Sequence, residues 1–329
     1  MKKYKPIIIV AGEPNSVFLE IYFKAIKSKN FKCPLILIAS KKLLLLQMKH
    51  FNFKKKIKLV DPKNLNNLNL NNKSINIIDV EYYPKKAFEK ISNKSNIYIQ
   101  NSFEIAFKIL ENGFTKKLIN GPISKKNFLG NKYLGITEYI SEKFLIKKQA
   151  MLIFNEKLSV CPLTTHVPLK SVAKKINKKN IIEKAYLIKS FYKKYFNFNP
   201  KIAVLGLNPH CESINKINED EKIIKPAVKT LKKKNYNISG PYPADTLFTK
   251  KNRENFDVVL GMYHDQVLAP IKTIFEYDAI NITLGLPFIR ISPDHGPNEK
   301  MLGKNISNPE SLTQAINFLE KNGLKQKKA

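Results

Sequence analysis

The sequence predicts an α/β fold with a mainly parallel sheet, and two observations lead to this prediction. Short apolar runs rich in β-branched residues alternate along the chain with amphipathic segments of helix length, which is the pattern of strands joined by crossover helices. At 329 residues, the chain is long enough for two domains with buried cores. We therefore expect two lobes, residues 1–125 with 296–329 and residues 126–295, which line a cleft from both sides.

The apolar runs predict eight strands, and the periodic segments between them predict helices. The strands are expected at residues 6–10, 34–38, 75–78, 117–119, 150–154, 201–205, 258–260 and 279–283. A helix is expected over residues 102–112, with Ser102 as its N-cap and Gly113 just past its end. A second helix is expected over residues 181–195, and the asparagine-rich segment 61–74 is expected to be a polar loop.

The chain carries a formal net charge of +32, which raises the question of nucleic acid or anionic membranes as partners. Nearly all of the 58 basic residues are lysines spread over the whole chain, and only Arg253 and Arg290 are arginines. No segment interleaves aromatic and basic residues as single-strand binders do. A solvated lysine surface is therefore favoured over nucleic-acid binding, and such a surface attracts a small, phosphate-bearing substrate.

Hydropathy and cysteine usage predict a soluble, cytoplasmic protein that does not enter a membrane. No apolar run approaches the ~20 residues that span a bilayer. The N-terminal apolar run of about six residues is shorter than that of a signal peptide, so we interpret it as the first strand. Cys33, Cys161 and Cys211 are widely spaced and form no CxxC pair, so neither a disulfide framework nor a thiolate zinc site is expected.

Three of the five histidines follow apolar runs: His166 ends LSVCPLTTH, His210 ends KIAVLGLNPH, and His264 follows FDVVLGMY. Because the carboxyl ends of parallel strands meet at one edge of a sheet, these imidazoles are expected on the same rim. Three neutral imidazoles with an open position bind Zn²⁺ or a similar divalent ion. The alternative is that each histidine is only a polar residue that ends a strand. Asp265 orients an imidazole in the first interpretation and is a turn residue in the second.

Two loops and one cation in an apolar segment are further candidates. The segment GPYPADTLF presents Asp245, and NGPISKKNF presents Lys125 after a strand; an ordinary turn is the alternative in both cases. Arg290 lies inside the apolar segment NITLGLPFIRIS, where burial of a guanidinium without an anion is costly. Arginine can bind phosphate or carboxylate through two parallel hydrogen bonds. Arg290 is therefore a candidate anion ligand, and a structural salt bridge is the alternative.

Eight short motifs carry a family resemblance. They are GEP, GPISK, TTHVPL, LGLNPH, GPYPADTLF, MYHDQ, NITLGLPFIR and SPDHG. In this order and at these approximate spacings, from about residue 10 to 320, they resemble the 4-hydroxythreonine-4-phosphate dehydrogenase family of pyridoxal phosphate biosynthesis. Each motif alone is weakly specific, whereas eight in order are highly specific.

The resemblance implies a two-lobed fold of the isocitrate- and isopropylmalate-dehydrogenase type, which lacks the Rossmann glycine fingerprint. It also implies a homodimer with its active site near the subunit interface, and a metal and substrate site in the cleft of the second lobe. The motif positions imply His166, His210 and His264 as ligands of a divalent metal, Thr137, Lys272, Asn281 and Arg290 as substrate contacts, and His295 and Gly296 as cofactor contacts.

The implied reaction is the oxidation of the C3 hydroxyl of 4-phosphooxy-L-threonine by NAD⁺ or NADP⁺. A divalent metal, Zn²⁺, Mg²⁺ or Co²⁺, would act as a Lewis acid at the hydroxyl and at the new ketone. The resulting 2-amino-3-oxo acid loses CO₂ and gives 3-amino-2-oxopropyl phosphate. Lys272 and Arg290 would hold phosphate or carboxylate, and Asp245 and Lys125 are the candidates for accepting the hydroxyl proton.

Three departures from the family pattern keep alternatives open. Ile136 stands where the family usually has a histidine, Lys300 stands where related dehydrogenases have an aspartate near the adenosine, and CESINKINED replaces a glycine-rich stretch after NPH. One alternative is a sister dehydrogenase that acts on a four-carbon sugar-acid phosphate such as threonate or erythronate 4-phosphate. The other is a protein that kept the fold and binds metal or nucleic acid without catalysis.

Overall fold

The structure, a computed structural model, describes residues 4–130, 132–133, 135–211, 218–276, 278–293 and 295–323. The chain divides into two compact units. Unit 1 comprises Met1–Phe144 and Pro287–Ala329, and unit 2 comprises Leu145–Leu286. The sequence led us to expect lobe boundaries near residues 125 and 295, whereas the units divide after Phe144 and after Leu286.

Strands and helices alternate along the described residues. The strands are β1 (Ile7–Val10), β2 (Leu35–Ala39), β3 (Ile57–Leu59), β4 (Ile75–Asp79), β5 (Lys117–Asn120), β6 (Ala150–Phe154), β7 (Ser159–Thr164), β8 (Ile202–Leu205), β9 (Ile238–Tyr242), β10 (Val258–Tyr263), β11 (Ile280–Leu284) and β12 (Ile289–Pro293). The helices are α1 (Phe18–Ser28), α2 (Lys41–His50), α3 (Asn96–Glu111), α4 (Ile136–Lys143), α5 (Val172–Lys175), α6 (Lys178–Phe196), α7 (Lys225–Lys233), α8 (Ala244–Leu247), α9 (Lys250–Arg253), α10 (His264–Phe275) and α11 (Glu310–Gly323). Within the described ranges, none of these helices combines the length and apolar character needed to cross a bilayer.

The strands of unit 1 pair in the order β3-β4-β2-β1-β5-β12, and every pair is parallel. All residues of β1 and β2 are buried, as expected for parallel strands that are covered on both faces. Helix α3 packs on β1 and β2, and α11 packs on β5 and β12. The carboxyl ends of β1, β5 and β12 therefore lie at one edge of this sheet.

The strands of unit 2 pair in the order β11-β6-β7-β10-β8-β9. The pairs from β7 to β9 are parallel, whereas β6 pairs antiparallel with both β11 and β7. Helix α10 packs against β7 and β10, and Val259, Leu205 and Val267 belong to the buried core between these elements. The predicted α/β class with a mainly parallel sheet is confirmed.

All eight predicted strands are present, but β3, β7, β9 and β12 were not predicted as strands. Gly240 and Pro241 lie inside β9 and Pro162 lies inside β7, and such residues are typical signals of turns or of strand edges. The prediction of Ser102 as an N-cap is wrong, since α3 begins six residues earlier, at Asn96. The Ser102 hydroxyl donates to the carbonyl oxygen of Tyr98 at 2.7 Å, inside the helix.

Helix α4 is held in unit 1 by a cluster of aromatic rings. The ring of Phe103 on α3 lies 5.7 Å from Phe107, 6.5 Å from Phe128 and 5.9 Å from Tyr139 on α4, measured between ring centroids. Such contacts add about 0.5–1.5 kcal/mol per pair beyond the burial of apolar area. The short helix α4 thus depends on these rings for its position.

We expect Phe103→Ala to lower the free energy of unfolding by about 3–5 kcal/mol, because it leaves a cavity among these rings. Urea titration followed by circular dichroism measures the change. Ile97→Ala on the same helix is the control, since Ile97 is 74% exposed and its loss is expected to cost less than about 0.5 kcal/mol. Equal effects of the two substitutions would contradict a role of the ring cluster.

Candidate functional site

The three predicted metal ligands follow neighbouring parallel strands of unit 2. His166 comes two residues after β7, His264 directly after β10, and His210 five residues after β8. Strand β10 lies between β7 and β8 and is parallel to both. The expectation that the three strand ends share one edge is confirmed by this pairing.

Two of these histidines have an unusual backbone conformation. The φ angle is 39° at His166 and 56° at His210, and it is 58° at the adjacent Cys211. Positive φ is uncommon for residues other than glycine, and such residues cluster at functional sites. Histidine adopts positive φ more readily than most residues, so this conformation is compatible with a turn after each strand as well as with a functional role.

The rings of His166 and His264 are neighbours, with centroids 6.1 Å apart and planes inclined by 35°. The Nδ1 atom of His264 lies 2.7 Å from Oδ1 of Asp265. Because an ionised carboxylate only accepts hydrogen bonds, Nδ1 carries the hydrogen. The lone pair of a neutral His264 ring is then on Nε2, and Asp265 orients the imidazole as the sequence suggested.

The donor set of this edge fits a divalent ion, although the side chains are not gathered around one point. Among the described residues, no group of three or more His, Cys, Asp or Glu side chains could hold a metal ion. Neutral imidazoles are nevertheless ligands that suit Zn²⁺ and similar metals. Residues 212–217, most of CESINKINED, lie outside the described residues.

Asp245 lies near the loop that carries His210. It is exposed in α8, and its Oδ1 accepts a hydrogen bond from the backbone nitrogen of Thr246 at 2.8 Å. Burial raises the pKa of the Cys211 thiol, and the negative charges of Asp220 and Asp245 add to this effect. The charge of Asp245 therefore acts on Cys211, the residue that follows His210.

Lys272 and Asn281 are the other two candidates in unit 2. Lys272 is exposed in α10, two turns after His264. Asn281 lies on β11, opposite Ile153 of β6, and its Oδ1 is buried without a hydrogen bond from any described residue. A buried amide oxygen without a donor is costly, so this atom is suited to accept a hydrogen bond from a ligand.

Arg290 on β12 is the most informative side chain of unit 1, because it is only 1% exposed. Its Nε donates to Oδ1 of Asn120 at 2.6 Å, and its Nη1 donates to Oγ1 of Thr137 at 3.2 Å. Burial lowers the pKa of the guanidinium to about 10, and the charge of Glu138 opposes this shift. Arg290 stays protonated at neutral pH, as a buried cation whose hydrogen-bond acceptors include the neutral oxygens of Asn120 and Thr137.

Thr137 is brought to Arg290 by α4, which starts at Ile136 directly after Gly135. Sequence reasoning identified both Thr137 and Arg290 but missed Asn120 and Glu138. Asn120 ends β5, next to β12, and the polar end of an apolar strand was a usable signal. The signal for Glu138 was its place beside Thr137 in the first turn of α4.

His295 and Gly296, the predicted cofactor contacts, follow β12. The His295 ring stacks on Phe18 with a centroid distance of 6.2 Å, and its Nδ1 lies 3.1 Å from the carbonyl oxygen of Gly296. Among the described residues beyond its chain neighbours, only Oδ1 of Asn298 would lie within 4 Å of a methyl group added at Gly296, at 3.9 Å. The backbone at Gly296 is therefore accessible to a ligand.

Lys125 begins a single π-helical turn, Lys125–Leu129, after β5. The hydroxyl of Ser124 accepts a hydrogen bond from the backbone nitrogen of Asn127 at 3.3 Å and caps this turn. Ser124 thus has a local structural role in this turn. The Lys125 residue itself is exposed.

Sequence reasoning missed Glu13 of the GEP motif, which lies in the loop after β1 and is buried. Its Oε1 accepts from the backbone nitrogen of Asn15 and its Oε2 from the hydroxyl of Ser95, both at 3.1 Å. The preceding Gly12 has a φ of 77°, and a methyl group there would lie 2.3 Å from the carbonyl oxygen of Pro122. The glycine allows the chain to turn tightly and carry the carboxyl group inward.

The carboxyl group of Glu13 makes the stability of unit 1 depend on pH. Burial raises its pKa above the ordinary value of 4.5, the hydrogen bonds from Asn15 and Ser95 oppose the shift, and the charge of Glu299 adds to it. The folded chain then binds this proton more tightly than the unfolded chain does. The contribution of Glu13 is therefore lost as the pH rises from about 4.5 through the raised pKa.

We expect Glu13→Gln to remove this part of the pH dependence, since the amide does not ionise. Urea unfolding at a series of pH values from acid to neutral measures it. The wild type should lose stability relative to Glu13→Gln as the pH rises, and Glu111→Gln, at an exposed carboxylate of unit 1, is the control. Parallel curves for wild type and Glu13→Gln would show that the buried carboxyl group is not the cause.

A family model described as "Pyridoxal phosphate biosynthetic protein PdxA" matches residues 31–319 of the chain. This range begins after β1 and α1 and includes Arg290 and all three histidines. The match therefore covers most of both units.

Named relatives and a solved structure agree with the family model. The chain is 38% identical to a 4-hydroxythreonine-4-phosphate dehydrogenase of Sulfurihydrogenibium sp. (strain YO3AOP1), over 94% of this chain and 96% of the relative. It is 33% identical to one of Aquifex aeolicus (strain VF5), over 96% and 98%. The crystal structure of a 4-hydroxythreonine-4-phosphate dehydrogenase from Klebsiella pneumoniae matches with a TM-score of 0.84 and 25% identity, over 97% and 99%.

Proposed function

The chain belongs to the PdxA family of pyridoxal phosphate biosynthetic proteins and is an enzyme, and from this premise we propose how its residues act. It oxidises 4-hydroxythreonine 4-phosphate in the biosynthesis of pyridoxal phosphate. The proposal is that NAD⁺ or NADP⁺ takes up the C3 hydride, and that decarboxylation then gives 3-amino-2-oxopropyl phosphate. The oxidant is expected to contact His295 and Gly296.

Arg290 carries the substrate part of this proposal. A buried guanidinium that stays charged interacts strongly with an anion, because the surrounding dielectric constant is low. The substrate supplies a phosphate and a carboxylate, and the planar fork of arginine suits both. We propose that Arg290 and Thr137 contact one of these groups and that Lys272 and Asn281 contact the substrate as well.

The strand-end histidines carry the metal part. His166, His210 and His264 would hold Zn²⁺, Mg²⁺ or Co²⁺, with Nε2 of His264 available because Nδ1 is engaged by Asp265. When bound, such an ion supplies Lewis-acid stabilisation of negative charge on oxygen. Asp245 and Lys125 remain the two candidates for accepting the hydroxyl proton.

The enzyme is further proposed to be a cytoplasmic homodimer, and sedimentation analysis tests the dimer.

The direct test of the reaction is NAD(P)H formation with 4-phosphooxy-L-threonine, NAD⁺ or NADP⁺, and added Zn²⁺, Mg²⁺ or Co²⁺. Threonate and erythronate 4-phosphate are run beside it, because Ile136 replaces a usual histidine next to the substrate contact Thr137. Turnover of a sugar-acid phosphate alone would favour the sister dehydrogenase. Tight, salt-resistant binding of nucleic acid without turnover would favour the non-catalytic alternative.

We expect His264→Ala to weaken Co²⁺ binding and to lower kcat together, each by more than about 100-fold, since even outer partners of metal ligands cost 10–100-fold. Calorimetric titration of the metal-stripped enzyme and steady-state kinetics measure the two losses. His50→Ala is the control, since Nε2 of His50 lies 2.9 Å from the carbonyl oxygen of Gly303 in unit 1. Retention of both metal affinity and turnover in His264→Ala would refute the metal assignment.

We expect Arg290→Lys to raise KM, to lower kcat, and to reduce kcat/KM about tenfold or more, which corresponds to ~1.4 kcal/mol. Lysine keeps the charge but loses the planar fork, so the substrate is oriented less well. Arg253→Lys, at the other arginine of the chain, is the matched control. A lowered melting temperature with unchanged kinetics would instead identify Arg290 as a structural cation.

A further inference from the structure

We propose that three polar side chains of unit 2 are positioning residues that fix the spacing of the histidine-bearing strand ends. The three residues are Thr164, Gln266 and Asp220. Their hydrogen bonds form a clamp that runs across the carboxyl ends of β7, β10 and β8. The inference rests on the proposed metal role of the histidines and adds to it the parts of the protein that set the geometry of that site.

The first contact joins β7 to β10. Thr164 is the last residue of β7 and is buried, and its hydroxyl donates to the carbonyl oxygen of Met262 at 2.8 Å. Thr164 lies two residues before His166, and Met262 lies two residues before His264. One hydrogen bond therefore links the backbone segments that lead into the two neighbouring imidazoles.

The second contact joins β10 to β8. Gln266 is buried in the first turn of α10, where its Oε1 accepts from the backbone nitrogen of Met262 and its Nε2 donates to the carbonyl oxygen of Gly206, both at 2.7 Å. The backbone register between these strands ends at the pair Leu260 and Val204. The side chain of Gln266 thus connects the two strand ends beyond the last backbone pair.

The third contact holds the loop between β8 and His210. Asp220 is fully buried, and its carboxylate accepts from the backbone nitrogen of Leu207 at 2.8 Å and from the backbone nitrogen and Nδ2 of Asn208 at 3.1 and 2.8 Å. Hydrogen bonds to an ionised acceptor are about twice as strong as neutral ones. Three of them fix the first residues of the loop.

Gly206, the first residue of this loop, has no side chain, and Asp220 of the clamp packs against it. A methyl group on Gly206 would lie 2.7 Å from Oδ1 of Asp220 and 2.6 Å from Sγ of Cys211. No other residue type could follow β8 here without displacing one of these groups. Close packing of the loop and the carboxylate therefore depends on Gly206.

The location of the contacts argues for positioning rather than for stability alone. Each hydrogen bond engages a backbone group that lies two to four residues before one of the three histidines, next to an apolar core that includes Leu205, Val259 and Val267. Buried polar groups are costly unless all of them are satisfied. If the strand ends are already ordered, metal binding does not have to order the histidine ligands. Loss of the clamp should therefore weaken metal binding.

The test compares two substitutions at Thr164 in the full-length, metal-stripped enzyme. Thr164→Val removes the hydroxyl at nearly constant volume, whereas Thr164→Ser keeps it. We expect Co²⁺ affinity to fall about tenfold or more in Thr164→Val, the usual range for outer partners of metal ligands, and to stay within about twofold of wild type in Thr164→Ser. Thr230→Val is the control, because the Thr230 hydroxyl also donates to a backbone carbonyl, that of Pro226 in α7.

A second measurement separates positioning from general damage to the fold. Gln266→Met removes both hydrogen bonds of Gln266 at similar size, and saturating Co²⁺ should restore kcat in both Thr164→Val and Gln266→Met. A structural defect would leave kcat low at every Co²⁺ concentration and would overturn the inference. Equal Co²⁺ affinity of Thr164→Val and Thr164→Ser would also overturn the inference about the clamp. In that case, Co²⁺ binding by the wild type would still support the proposed metal site. Absence of Co²⁺ binding to the wild type would instead remove the metal proposal itself, and the clamp with it.

Discussion

The candidate site of unit 2 depends on the parallel pairing of β7, β10 and β8 as immediate neighbours. Parallel strands deliver the chain to the same edge of the sheet, so the three histidines follow strand ends at one edge although more than 40 residues separate each from the next along the chain. In an antiparallel arrangement, neighbouring strands would release their histidines at opposite edges. The edge is therefore a property of the folded sheet, and no short segment of this chain can reproduce it.

The described parts of unit 1 differ from unit 2 in that two ionisable side chains, Arg290 and Glu13, are buried among closely packed elements. Glu13 lies in the loop after β1 and Arg290 is the second residue of β12, and both side chains are almost fully buried. Burial disfavours the charged form of each, yet the guanidinium keeps its proton at neutral pH because its intrinsic pKa is so high. A fixed, buried positive charge is suited to binding an anion, whereas the Glu13 carboxyl group already accepts hydrogen bonds from Asn15 and Ser95.

The sequence predicted the features that depend on local pattern and missed those that depend on distant partners. Apolar runs identified eight strands, and the histidines and Arg290 were visible because each interrupts or ends such a run. The missed strand β9 contains Gly240 and Pro241, which locally resemble a turn. Gln266 stood in the quoted motif, but its partner Gly206 is 60 residues away, and nothing in the local sequence shows which carbonyl a glutamine will reach.

The left-handed backbone at His166 and His210 makes the folded chain less stable than glycine at these positions would. Glycine would adopt these φ angles without steric strain, so selection for thermostability alone would favour replacing the histidines. A lineage that keeps the imidazoles must gain its stability elsewhere in the chain. Natural relatives from hot environments should therefore differ from this chain in cores and helix surfaces before they differ at these two turns.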